Sequence, residues 1–198
     1  RKRRCLSVPP GMTATLSTIT PLLLHGTQQA GALYITSSED MEMHNFKEAD
    51  EWSGGAWLSA GDKSAVVLIG TKATGSCWYG FANGVEYPIS GDPGEQYPDV
   101  PPWPYDDRGW WSEGISAQII FFDPRELGQV AAGERETYEP QPYAALDINE
   151  QLFDPVMDPV RSKRYLLGAA AFDRQNGLLY IVERRADGDK SLIHVWKI

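Results

Sequence analysis

The sequence predicts an all-β protein of antiparallel, four-stranded sheets. Three observations predict it. Short β-branched and aromatic runs are bounded by Gly, Asp, Asn and Pro throughout the chain. One hairpin pattern recurs in the middle and at the end of the chain. Only one stretch of the 198 residues carries a good helical signal.

The central hairpin comes first. Gly55–Ser59 leads through the turn Ala60–Lys63 into Ser64–Gly70, a run apolar nearly throughout, as a strand covered on both faces would be. Ile115–Asp123 reads as a third strand and Tyr143–Ile148 as a fourth. Between these two, Asp123 can cap a helix, Pro124 suits its first position, Glu126 completes a capping box and Gly133 stops it, which predicts a helix over 124–132. At the end of the chain Leu167–Phe172, the Asn176-Gly177 turn, Leu178–Glu183 and Leu192–Ile198 form a second meander. Leu16–Thr20 and Gly31–Thr36 read as a further hairpin near the start.

The stretches GGAWLSAGDKSAVVLIG and GAAAFDRQNGLLYIVE share one order: Gly, small apolar residues, a polar turn, an apolar strand. Hairpins 55–70 and 168–183 are therefore expected to be equivalent, with Trp57 and Ala170 facing corresponding directions. A four-stranded meander followed by a three-stranded one is the pattern of β-propeller blades. A closed ring takes at least ~4 blades, and the chain holds about two and a half. The expectation is that residues 1–198 are part of a single β-propeller-like domain, completed by N-terminal blades of the same protein or by another chain.

Residues 168–198, with Asp187-Gly188-Asp189-Lys190 and Ile193-His194-Val195-Trp196-Lys197-Ile198, resemble the C-terminal ends of bacterial propeller-like proteins of unknown function. Gly54–Leu58 and Phe122–Leu127 are similar to internal parts of the same proteins, so the resemblance covers roughly 52–198. It implies further blades before Arg1 and brings no activity with it.

Charge narrows the partners. The formal net charge is -9, and the excess of acids lies beyond the basic run Arg1–Arg4, so a nucleic acid backbone would be repelled by most of the surface. No apolar run approaches the ~20 residues that cross a bilayer. Seven Trp, nine Tyr and many Gly-Asp-Pro turns lean towards an extracytoplasmic location. Cys5, beside the basic run, and Cys77, at the end of the central hairpin, are expected to stay unjoined, and neither has a second ligand at zinc spacing.

The unusual segment is a Pro- and aromatic-rich insertion at 78–114. Residues 78–111 alone hold nine of the 22 aromatics and six of the 14 prolines, with six acids against Arg108. Proline lowers the entropy cost of holding a loop, aromatics give flat apolar contact area, and long loops on rigid scaffolds commonly carry function. The candidate binding residues are Trp78, Tyr79, Trp103, Tyr105, Asp106, Asp107, Arg108, Trp110 and Trp111. Trp, Tyr and Arg are the usual anchors of a protein contact, including contact with another copy. Aromatic faces with carboxylates would alternatively hold a glycan, in a carbohydrate-binding or glycosidase-type propeller with acids contributed by several blades. A third reading packs these aromatics into the loop's own small core. Three prolines around Trp103 are expected to keep the backbone extended, leaving at least one of Trp103, Tyr105, Trp110 and Trp111 uncovered, while the adjacent Trp110 and Trp111 should point to opposite faces.

No motif points to a catalytic residue or a cofactor. Gly75-Ser76-Cys77-Trp78 resembles the nucleophile segment of papain-like cysteine proteases over four residues, but Gly80, Asn83 and Gly84 break the helix that family needs there. The acid pairs Glu39-Asp40, Asp50-Glu51 and Asp106-Asp107 do not by themselves set the separation of two carboxyls that glycoside hydrolysis requires. Asp187-Gly188-Asp189 lacks the later ligands of a calcium loop, and His25, His44, Met41 and Met43 make no metal spacing.

Overall fold

The computed structural model describes residues 21–25, 27–28, 35–36, 41–89, 94–159 and 163–198. They form an all-β structure of antiparallel sheets. A two-stranded ribbon joins β1 (Thr27–Gln28) to β2 (Ile35–Thr36). The expected partner for the latter, 16–20, lies outside the described residues. The first large sheet has the order β3 (Glu51–Ala60), β4 (Lys63–Phe81), β5 (Arg108–Phe122), β6 (Ala144–Asp147). The second has β7 (Leu167–Asp173), β8 (Leu178–Asp187), β9 (Lys190–Lys197). The four- and three-stranded meanders read from the sequence are thus both present.

The helix α1 (Pro124–Ala131) forms as its caps dictate. The Asp123 carboxylate accepts from the Arg125 amide, Pro124 opens the helix, and Leu127 and Val130 turn inward on one face. Strand β6 is one residue shorter at each end than the sequence indicated, although the Tyr143 and Ile148 amides still donate to the Phe121 and Ala117 carbonyls of β5. Asn149 takes over there: its side chain accepts from the Ala117 amide at 2.7 Å, while Ile148 drops into the core.

The main departure from the sequence reading concerns β4 and β5. The expected strands ended at Gly70 and began at Ile115, whereas the observed ones continue to Phe81 and back from Arg108. Pairing with β3 stops at Thr71 and pairing with β6 covers only Gln118–Phe121, so the extra length is a two-stranded ribbon projecting from the sheet. Cross-strand pairs Trp78–Trp111 and Tyr79–Trp110 hold it together, as aromatic pairs do on a pleated surface.

The two sheets stack face to face. Leu58, Val67, Ile69, Ala117 and Ile119 of the first share one buried cluster with Leu167, Leu179 and Ile181 of the second. At the interface β3 lies along β7. The Ser53 hydroxyl donates to the Leu167 carbonyl at 3.0 Å, and an added Cβ on Gly54 would sit 2.6 Å from the Gly168 oxygen. The Leu166 amide donates to Thr71 Oγ1 at 2.7 Å, level with Glu51. Residues 51–54 therefore meet 166–170 in ascending order, and β3 and β7 run in the same direction. Since Ala117 and Ile119 of β5 are buried with Leu179 and Ile181 of β8, the later strands of each sheet lie over one another. The sheets are stacked in the same sense rather than as a two-fold sandwich. Trp57 and Ala170 fit this relation. Trp57 points to the back of the first sheet, away from the second, and Ala170 to the back of the second, towards the first.

The back of the first sheet is covered in part by the preceding segment, where Leu23 and Met43 pack on Ile120 and Phe122. Connections are anchored by buried polar groups. The Asp50 carboxylate accepts from Lys72 at 2.9 Å and from the Ala73 amide at 2.8 Å, and Glu51 pairs with Arg184, so this acid pair is structural. Glu183, fully buried, accepts from the amides of Phe153 and Asp154 and is hydrogen-bonded to His194, tying the return from β6 to the second sheet. Cys77 is a free thiol on β4, and Cys5 lies outside the described residues. Among the described residues no helix is long and apolar enough to cross a membrane.

Candidate functional site

The projecting ribbon presents two faces because strand side chains alternate. On one face Tyr79 and Trp110 meet edge to face at 5.6 Å between ring centroids. Tyr87, from the chain beyond, packs against Tyr79, Phe81 and Tyr97. The Arg108 guanidinium lies 4.1 Å above the Tyr87 ring and 5.9 Å from that of Tyr79. On the other face Trp111 is 5% exposed. Its indole N–H donates to the Gly80 carbonyl at 3.2 Å, and the Arg164 guanidinium covers the ring at 4.6 Å while pairing with Asp107 at 3.2 Å. Trp78 donates its own indole N–H to the Phe81 carbonyl.

Gly80 makes the geometry possible. Residues 85–87 fold back against β4, with Phe81 N donating to Val85 O and Tyr87 N donating to Tyr79 O. A Cβ on Gly80 would lie 2.1 Å from the Val85 oxygen. This close approach brings Tyr87 onto Tyr79 and opens a groove of about 370 Å³, lined by Cys77, Trp78, Tyr79, Glu86, Tyr87, Pro88, Ile89 and Trp110.

The loop beyond the ribbon carries Trp103, Tyr105, Asp106 and Asp107. Its backbone is not extended around Trp103 as the proline content led us to expect. Trp103 and Pro104 are the centre of a turn closed by Tyr105 N donating to Pro102 O. The turn pushes the indole outward, leaving Trp103 72% exposed. Ile89, Tyr97 and Val100 are exposed as well, while Trp110 and Tyr105 are half-buried. The nine sequence-derived residues are thus divided. Tyr79, Arg108 and Trp110 form one cluster, Trp78 and Trp111 brace the ribbon from the other face, and Trp103, Tyr105, Asp106 and Asp107 sit on the loop. Sequence reasoning missed Tyr87, Tyr97 and Arg164 as members. The tyrosines stood inside the aromatic stretch and could have been included; Arg164 lies more than fifty residues from its ring partner and had no local signal.

A second concavity of about 790 Å³ lies between α1 and the start of β6, with Asp62, Asp123, Glu126 and Glu139 on its walls beside the exposed Tyr143. Two of its carboxylates, Asp123 and Glu126, are engaged by arginines. The Arg125 side chain, helped by its amide, holds the Asp123 carboxyl below the usual range, and Glu126 pairs with Arg135 at 3.0 Å. A general acid for glycoside hydrolysis requires the opposite shift.

Comparison of the chain with protein-family models, curated proteins and solved structures finds no match.

Proposed function

We propose that the chain supplies consecutive blades of a propeller-like, non-catalytic interaction module, and that the insertion carried on the β4–β5 ribbon binds a protein partner. One observation carries this reading. Ile89, Tyr97, Val100 and Trp103 expose large apolar side chains on a segment whose base is locked by the Tyr79–Tyr87–Trp110–Arg108 cluster. An apolar group held out on a pre-ordered support loses little entropy on binding, which is what a contact anchor requires. The exposed carboxylates Asp99 and Asp106 flank Trp103 in sequence and supply the polar rim. The same-sense stacking of the two sheets supports the blade reading.

The test is quantitative capture from an extract of the source cells, comparing wild type with Trp103→Ala and Val100→Ser. A protein retained by the wild type and lost with both variants, whose circular dichroism is unchanged, is the expected result. Identical capture profiles for all three chains would remove the reading. A second reading has its own observation: the groove between Tyr79, Tyr87 and Trp110 places ring faces beside the Glu86 carboxylate, as a sugar site does. Glycan-array binding that is lost with Trp110→Ala and kept with Trp103→Ala would favour it.

A further inference from the structure

A pocket of about 480 Å³ lies on the back of the first sheet, the side away from the second. Its floor is a row across three strands: Trp52 of β3 pairs with Gly70 of β4, and Gly70 with Gln118 of β5. Simple alternation would put Trp52 on the same side as Gly54, facing the second sheet. The register shift between the two reverses it, so that Trp52 shares the back face with Gln118. Gly70 keeps the middle of the row bare, because a Cβ there would lie 1.9 Å from the Glu51 carbonyl oxygen. Lys72 closes one end of the row and Ile120 the other, each two residues along its strand. Residues 43–45 and 142–145 supply the walls. Among the described residues the Trp52 indole N–H is buried and has no acceptor. Buried donors are almost always paired, so this one marks a place for an acceptor from outside the chain.

We propose that this pocket binds a small uncharged molecule that carries a carboxamide on a flat apolar body. The Trp52 N–H requires an acceptor, and the Gln118 side-chain amide offers both a donor and an acceptor across the bare glycine. The two backbones stand about 10 Å apart, two strand spacings, which leaves room for a ligand between the side chains. A carboxamide answers both partners: its carbonyl oxygen takes the indole proton, and its N–H donates to the Gln118 oxygen. Charge argues against an anion. The Lys72 ammonium is held by both oxygens of the buried Asp50 at 2.9 Å, so that pair presents no net charge. Asp147 stands opposite Gln118 on β6 and would repel a carboxylate. The rest of the lining suits a flat hydrocarbon: Met43, Ile120, Pro142 and Ala145 are apolar, and a few placed polar groups in an apolar cavity are what a small-molecule site needs. The second sheet stacks on the opposite face and leaves the pocket open. No residue is shared with the groove of the insertion, so the two sites stand or fall separately.

The test reads the indole itself. The whole chain, labelled with nitrogen-15, has seven tryptophans, and the indole N–H resonance of Trp52 is the one missing from the Trp52→Phe spectrum. Benzamide is the probe and benzoate its charged analogue, each titrated to about 20 mM, since a fragment of this size binds in the millimolar range at best. Benzamide is expected to move the Trp52 resonance saturably, with a Kd of about 1–10 mM. Benzoate should bind at least several-fold more weakly. Gln118→Ala should weaken benzamide several-fold, because it removes the second polar partner. Gln118 is half-buried on a paired strand, and the dispersion of the variant's spectrum checks that it folds. A Trp52 resonance that benzamide leaves in place overturns the proposal on the wild type alone. Movement confined to other indoles overturns it too, and assigns the probe to the insertion. Benzoate binding as tightly as benzamide would overturn the uncharged class, and equal affinity in Gln118→Ala would overturn the two-sided recognition.

Discussion

Replacing Glu183 by alanine tests what holds the return of the chain from β6 to β7. Its carboxylate is fully buried and takes three hydrogen bonds, from Phe153 N at 2.8 Å, Asp154 N at 2.7 Å and His194 Nε2 at 2.7 Å. Removing it leaves two backbone amides and a largely buried imidazole without their acceptor. Hydrogen bonds to charged groups are worth about 1.5–3 kcal/mol each. The buried charge must first be desolvated, however, so the three do not add, and the expected loss is about 3–5 kcal/mol. With a urea slope of about 2 kcal/mol/M, the unfolding midpoint should fall by about 1.5–2.5 M. Glu183→Gln keeps one acceptor oxygen but turns an N–H donor towards a donor, so its midpoint should lie between the two. Urea denaturation followed by far-ultraviolet circular dichroism measures all three chains. A midpoint shift under about 0.5 M for the alanine variant would refute the view that this carboxylate holds residues 153–154 to the second sheet.

Three further outcomes follow from the geometry. Gly80→Ala should force residues 85–87 away from β4, lowering stability by about 1–3 kcal/mol and weakening the near-ultraviolet signal of the aromatic cluster; an unchanged spectrum would contradict the close approach. Arg164→Ala uncovers the Trp111 ring and releases Asp107, so tryptophan emission should shift to the red with a loss of about 1–2 kcal/mol, seen in fluorescence-detected unfolding. Burial, with a smaller contribution from nearby His44, lowers the pKa of His25 below its ordinary 6.5 against the opposing bond to the Pro140 carbonyl. The unfolded chain thus takes up a proton first, and His25 should cost stability as pH falls through 6.5 towards the folded value. His25→Gln should flatten that slope in thermal melts taken between about pH 7.5 and 5.5, the window around the unperturbed value.

What the sequence by itself determined is what depends on near neighbours. The cap and stop of α1 lie within ten residues of one another, and β3, β4, β7 and β8 announce themselves as short apolar runs on either side of the Gly61 and Gly177 turns, both at positive φ. The opposite orientations of Trp110 and Trp111 follow from strand geometry alone, and so did the expectation that an aromatic of the insertion would stay uncovered. The tertiary structure decided everything that rests on distant pairing. Nothing local says that β4 and β5 outrun their sheet by some ten residues, because the aromatic pairs that extend them join positions more than thirty residues apart. Arg164 reaches Trp111 and Glu183 reaches residues 153–154 only after the second sheet has docked. The sense of that docking shows only in the ascending contacts of residues 51–54 with 166–170. Side-chain alternation shows which residues share a face of a sheet; which other face covers it is a matter of shape and space between segments that meet only when the chain has folded.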